Sequence, residues 1–164
     1  MNDIDALLRQ IASSPHCKVE PAKGIPETEG NSLPADLKHF YELCGGIKLF
    51  DNKDYECHIV PPLEFVLSNP VIVGEQVEED ISSSWYIVAH DGNGDYISID
   101  LHPNRLGKCY DSFWDTHAVV GDCPVIARTF TELLNRLVQN NGEHWYWLRE
   151  DFQSLGDAYD DTGL

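Results

Sequence analysis

The sequence predicts an α+β domain, a twisted and mostly antiparallel sheet flanked by helices. Three observations carry this. Two segments with helical spacing come first: Ile4, Leu7, Leu8 and Ile11, then Leu37, Phe40, Tyr41 and Cys44. From about residue 47 to 127 the apolar period shortens to two, interrupted by turn residues. A last helical stripe of Phe130, Leu133, Leu134 and Leu137 closes the pattern. Helices gathered at the ends, with a run of strands between them, do not make the βαβ alternation of a parallel sheet. The 164 residues suit a single domain over 1–164. Its core spans about 30–140, with an N-terminal helix over 3–13 and an acidic tail over 143–164.

Taken in order, the first helix is amphipathic over 3–13. Pro15, Pro21, Gly24, Pro26 and Gly30 then punctuate a loop. The second helix opens at Leu33-Pro34, where proline suits the first turn, and Gly45-Gly46 supplies a left-handed stop. Ile47–Phe50 and Tyr55–Val60 read as strands, and Pro61-Pro62 ends the second. Leu63–Leu67 fits one helical turn, Val71–Val73 a short strand or extended segment, and Ser82–Ser84 a loop. Trp85–His90 and Tyr96–Leu101 are the clearest strands. In the second, Ile97, Ile99 and Leu101 face one way, Ser98 and Asp100 the other. Asp91-Gly92-Asn93-Gly94-Asp95 joins them as a hairpin in which Gly and Asn supply positive φ. Lys108–Asp111 is a further strand and Pro124–Ala127 is extended. Thr129 and Glu132 fit a capping box at the start of the last helix, and Gly142 ends it. Trp145, Tyr146 and Trp147 make an aromatic knot expected to dock, while the last few residues fray.

Charge narrows the range of partners. Lys and Arg total 11 against 28 Asp and Glu, a formal charge of −17. On roughly 8,000 Å² of folded surface that leaves about one uncompensated negative charge per 500 Å². Such a field repels phosphate backbones and anionic membranes and attracts cationic partners. Direct nucleic-acid binding and membrane binding are therefore not expected. Between Lys53 and Arg105 there is no Lys or Arg, whereas ten acids fall in that interval. No apolar run is long enough to cross a membrane. The N-terminus lacks the basic start of a secretory signal. Five cysteines, an odd number with no CxxC pair, argue for reduced thiols and a cytoplasmic location.

No constellation points to catalysis, a metal or a cofactor. Asp91, Asn93 and Asp95 begin like a calcium loop, but the sixth position is Tyr96 and the twelfth His102, where Gly and Glu are required. Cys109 and His117, with Asp111 or Asp115 as orienter, could formally make a nucleophile pair. Their acidic, strand-borne setting opposes the thiolate. Walker, Rossmann and GxSxG patterns are absent from the sequence. Trp114, flanked by Asp111 and Asp115, is the candidate exposed aromatic anchor of a protein interface.

These residues line up with a known family. The run Leu33-Pro34, Leu37, Phe40, Tyr41, Leu43 and Gly45-Gly46 resembles the LP-to-GG helix of the SUKH superfamily. That superfamily includes the yeast cell-wall synthesis regulators and many bacterial immunity proteins. Pro61-Pro62-Leu63-Glu64-Phe65, the hairpin Trp85–Leu101, the strand Gly107–Tyr110 and the helix start Ile126–Leu134 resemble its further motifs in the same order. One departure is that Ser112, Phe113 and Trp114 follow the strand of Tyr110, where many relatives carry Trp or His at once. The resemblance implies an α+β fold, no enzymatic activity and a protein partner. In bacterial relatives that partner is typically a toxin domain, often a nuclease. In fungal relatives the domain is a regulatory interaction module, which is the alternative reading here. The expected partner is thus a cognate basic toxin domain. The expected contact residues are Glu78, Glu79, Asp80, Asp91, Asp95, Asp111, Trp114 and Asp115.

Overall fold

Seven antiparallel strands pair in strict chain order, each with the next, in a computed structural model that describes residues 1–160. They are β1 (Lys18–Val19), β2 (Ile47–Leu49), β3 (Cys57–Ile59), β4 (Trp85–His90), β5 (Tyr96–Asp100), β6 (Cys109–Ser112) and β7 (Val125–Ala127). Four helices accompany them: α1 (Ile4–Ala12), α2 (Ala35–Leu43), α3 (Ser68–Ile72) and α4 (Phe130–Asn140). The fold is the α+β class that the sequence predicts.

The helix ends show how local chemistry sets the boundaries. Asp3 caps α1 by accepting from the Ala6 N–H. Thr129 caps α4 by accepting from the Glu132 N–H at 3.0 Å. The reciprocal bond of a capping box is shifted by one residue, because Glu132 accepts from the Arg128 N–H instead. Asp36 of α2 also reaches the first turn of α4, accepting from the Thr131 N–H at 2.9 Å and its hydroxyl at 2.8 Å. A carboxylate there satisfies an orphan donor and complements the helix dipole. The rings of Phe40 and Phe130 meet edge to face at 4.9 Å and join the two helices.

Several local expectations need correction. The loop after α1 contains the short strand β1, which pairs with β2 and was invisible in two residues of sequence. Val71–Val73 is not extended. Val71 and Ile72 end α3, which Pro70 can enter because its missing N–H falls in the first turn. Helix α2 does not end in a left-handed residue, since Cys44 is extended with φ −152°. Gly46 does take a positive φ, 122°, and a Cβ there would lie 2.8 Å from the Ile59 carbonyl oxygen. Glycine is needed at that point for the close approach of β2 and β3. In the β4–β5 hairpin Gly92 and Gly94 have positive φ, but Asn93 does not.

Both faces of the sheet are buried. Ile97 and Ile99 of β5 join Leu7, Leu37, Phe40, Leu133 and Leu134 in the core beneath the helices. Ser98 and Asp100, on the other face, are also fully buried. That second face is covered by the chain's end. Trp85 stacks on Tyr110 at 4.2 Å, and Ala158 and Tyr159 pack over them with Cys123 and Val125. Asp157 fixes this return by accepting from the Cys123 N–H at 2.9 Å. The aromatic knot docks as expected, with Tyr146 and Trp147 buried. The expected fraying of the last residues concerns 161–164, outside the described residues.

Candidate functional site

The tip of the β4–β5 hairpin and the turn after β6 form one acidic ridge. Asp91 Oδ1 accepts from the backbone N–H groups of Asn93 (2.7 Å) and Asp95 (3.1 Å), closing the tip on itself. Asp95 Oδ1 in turn accepts from the Trp114 N–H at 2.9 Å. Two segments 19 residues apart are thereby clamped together. Trp114 is 78% exposed, and Asp115 beside it is also exposed. Val119 and Val120, in the same turn, add exposed apolar surface. An exposed aromatic flanked by Asp95 and Asp115 is a surface that a cationic, partly apolar partner can cover.

Asp80 is tied to this turn from another direction. Its Oδ2 accepts from the Ser82 N–H (3.0 Å), the Ser82 hydroxyl (2.5 Å) and the Tyr159 hydroxyl (2.7 Å). The Tyr159 hydroxyl also lies 3.2 Å from the Ala118 carbonyl. Burial alone would raise the Asp80 pKa, but the bonds from Ser82 and Tyr159, with His117 nearby, hold it below its ordinary value. Glu78 and Glu79, just ahead of it, are exposed.

Behind the ridge runs a buried chain of polar side chains that sequence reasoning missed. Ser68 and Ser98 hydroxyls lie 2.8 Å apart, Ser98 and Ser112 2.6 Å apart, and Ser112 meets His117 Nδ1 at 2.9 Å. His117 Nε2 meets Asn69 Oδ1 at 2.7 Å, and Asn69 Nδ2 donates to Ser82 Oγ at 3.0 Å. Burial lowers the His117 pKa to about 4, so the ring is neutral at neutral pH. Since Asn69 Oδ1 can only accept, Nε2 carries the proton and Nδ1 accepts from Ser112. Every hydroxyl then donates in one direction, from Ser68 through Ser98, Ser112, His117, Asn69 and Ser82 to the Asp80 carboxylate. A fully satisfied network of this kind fixes the geometry of the segments that it joins. No sequence signal marks it, because α3, the turn at Asp80 and Ser82, β5, β6 and the 113–120 turn contribute one or two members each.

One expected contact residue does not belong to the surface. Asp111 is 1% exposed, and it is corrected here to a structural role. Its carboxylate accepts from the Phe113 N–H (2.9 Å), the Thr116 hydroxyl (2.7 Å) and the Trp147 indole N–H (2.8 Å). Burial raises its pKa, and these three bonds resist the rise. The reason is register. Asp111 alternates with Tyr110 and Ser112 along β6, and both faces of that strand are covered. Of the other expected residues, Asp91, Asp95, Trp114 and Asp115 come together on the ridge. Asp80 is engaged internally, and Glu78 and Glu79 precede it.

The formal Cys109–His117 pair does not form. Cys109 is fully buried, its pKa is pushed well up by burial, and its Sγ faces the carbonyls of Gly107 and Thr129. His117 is committed to Ser112 and Asn69. Ser112, although bonded to a histidine, is 0% exposed and open to no substrate. A separate open cleft of about 540 Å³ is lined by Arg136, His144, Tyr146, Arg149 and Phe152 among others. Its Arg149 is already paired with Asp151 at 3.0 Å. Among the described residues no helix is long and apolar enough to cross a membrane.

Comparison with known proteins adds identity to this geometry. Residues 23–136 match the model of the SMI1 / KNR4 family (SUKH-1). A protein of Bacillus subtilis (strain 168) named Immunity protein YokJ is 56% identical over 158 residues, which is 96% of each chain. No solved structure matches.

Proposed function

The chain belongs to the SMI1 / KNR4 family (SUKH-1), and on that premise we propose that it is an immunity protein that neutralises a cognate toxin by direct complex formation. The observation that carries this is the 56% identity to Immunity protein YokJ over nearly the whole of both chains. The protein acts stoichiometrically, without catalysis and in the cytoplasm.

The proposed toxin is a basic domain, a nuclease or another domain that modifies nucleic acid. The charge of −17 and the stretch from Lys53 to Arg105 without an intervening cation support that reading. Carboxylates that occupy a phosphate-binding face block it by competing for the same cations. The proposed contact surface is the ridge of Asp91, Asp95, Trp114 and Asp115, extended by Glu78 and Glu79. Asp80 contributes by holding the turn in place.

Co-expression tests the proposal. A candidate toxin domain, sought among the neighbouring genes, is induced with and without this protein, and surviving cells are counted. Survival only in its presence, with a 1:1 complex on a sizing column, is the expected result. Death in both conditions, together with no complex, overturns it in favour of a regulatory module. A complex whose affinity and salt dependence are unchanged after charge reversal of the ridge sinks the proposed surface while leaving the immunity role intact.

A further inference from the structure

The hairpin between β2 and β3 carries a side-chain cluster that the immunity reading does not use. Asp51, Glu56 and His58 each offer one ligand atom, and these atoms lie within 4.8 Å of one another. His58 Nε2 is 3.7 Å from Glu56 Oε2. That gap is too long for a hydrogen bond. Nevertheless Nε2 is buried and has no hydrogen-bond partner among the described residues. An unpaired ring nitrogen facing a carboxylate across such a gap is a costly arrangement unless something fills it. Two metal–ligand bonds of about 2.1 Å span this separation at an angle of about 120°.

The surroundings suit a cation. Glu56 Oε2 is held by the Asn52 N–H at 3.2 Å, which orients the carboxylate as an outer-shell partner does. Lys53, which could otherwise compete for these acids, sends its Nζ to the Asn141 carbonyl at 2.8 Å. The neighbouring His90 stands apart from the set, since its Nδ1 accepts from the Gly92 N–H and its Nε2 faces Glu64.

We propose that Asp51, Glu56 and His58 form a binding site for a divalent transition-metal ion of the Zn²⁺ class. One imidazole with two carboxylates favours such ions over Ca²⁺ and Mg²⁺, which take oxygen donors. Three protein ligands leave a coordination position for water or for a donor from a partner. The bound ion clips the β2–β3 hairpin to itself.

The test is equilibrium dialysis of the full chain against zinc chloride, with bound metal measured by elemental analysis. One ion per chain is expected. His58→Ala and Glu56→Gln are each expected to weaken binding at least tenfold, with thermal melts confirming that both variants fold. Cys17→Ala, which removes the one partly exposed thiol, is expected to change nothing. If His58→Ala does not fold, the near-isosteric Glu56→Gln decides. No bound zinc on the wild type, unsaturable uptake of several ions, or one-site binding that survives the ligand variants or is lost with Cys17→Ala, overturns the proposal.

Discussion

Asp95 accepts a hydrogen bond from the backbone N–H of Trp114 at 2.9 Å, so the hairpin tip and the exposed indole are one unit. Trp114 buries little of its own surface in the free protein. Trp114→Ala should therefore leave stability within about 0.5 kcal/mol. If Trp114 anchors the toxin, the same change should cost about 2 kcal/mol of binding, or roughly thirtyfold in Kd. Asp95→Ala should cost both, about 1 kcal/mol of stability and a measurable loss of affinity. Thermal melts and calorimetric titration with the toxin domain separate the two. Equal affinity for the wild type and Trp114→Ala would remove the indole from the interface.

Asp111 and Asp115 are four residues apart, yet charge reversal should affect them in opposite ways. Asp111→Lys places a cation where three donors already converge on a buried carboxylate. Loss of the folded state is expected, because an uncompensated buried charge costs several kcal/mol. Asp115→Lys sits at an exposed position and should melt within a few degrees of the wild type. Its effect should appear in the association rate and the salt dependence of toxin binding. The milder Trp147→Phe, which removes one donor to Asp111, should destabilise by about 1–3 kcal/mol. Urea melts of the three variants rank them.

The helices α1, α2 and α4 were legible because burial of one helical face writes a period into the sequence, as in Phe130, Leu133, Leu134 and Leu137. The hairpin was legible because Gly92 and Gly94 are punctuation that strands do not tolerate. The burial of the second sheet face was not. Ser98 and Asp100 look like solvent positions, but the return of Ala158 and Tyr159 covers this face, Ser68 of α3 meets Ser98, and Ser84, Arg105 and Tyr110 close on Asp100. The same blindness misplaced Asp111. A carboxylate satisfied by Thr116 and Trp147 has the same letter in the sequence as one facing water. The ridge itself was half visible. Its acids and its tryptophan were evident, but the bond that joins Asp95 to Trp114 is a property of the folded chain.

His117 gives the fold a definite pH dependence. Burial lowers its pKa from 6.5 to about 4, against the opposing pull of Asp80. Between those values the unfolded chain binds a proton that the native chain refuses, so stability falls as pH drops from about 6.5 toward 4. At about 1.4 kcal/mol per unit, the loss amounts to roughly 3 kcal/mol across the window. His90 acts in the same direction, its pKa lowered by burial and by His58. Asp111, whose pKa is raised by burial, works in the opposite sense, with its window starting from the carboxylate range. His117→Gln, neutral at every pH, should be less stable at pH 7 and lose stability less steeply toward pH 5. Urea melts at pH 7, 6 and 5 check this. A parallel decline in both proteins would mean that His117 is not the titrating group.

Thiol chemistry provides the last check on the packing and on the non-catalytic reading. Four of the five cysteines, Cys44, Cys57, Cys109 and Cys123, are buried, and Cys17 is partly exposed. Burial pushes Cys57 and Cys123 up to about 12 and raises Cys44 and Cys109 as well. A thiol held that far above neutrality has almost no thiolate, and the thiolate is the reactive form. In native protein iodoacetamide should therefore label Cys17 first, with the other four appearing only after denaturation. Peptide mass mapping of a time course distinguishes the sites. Rapid native labelling of Cys109 would contradict its burial on β6 and reopen the question of a nucleophile beside His117. Rapid labelling of Cys123 would instead mean that the segment carrying Asp157–Tyr159 lifts readily from the second face of the sheet.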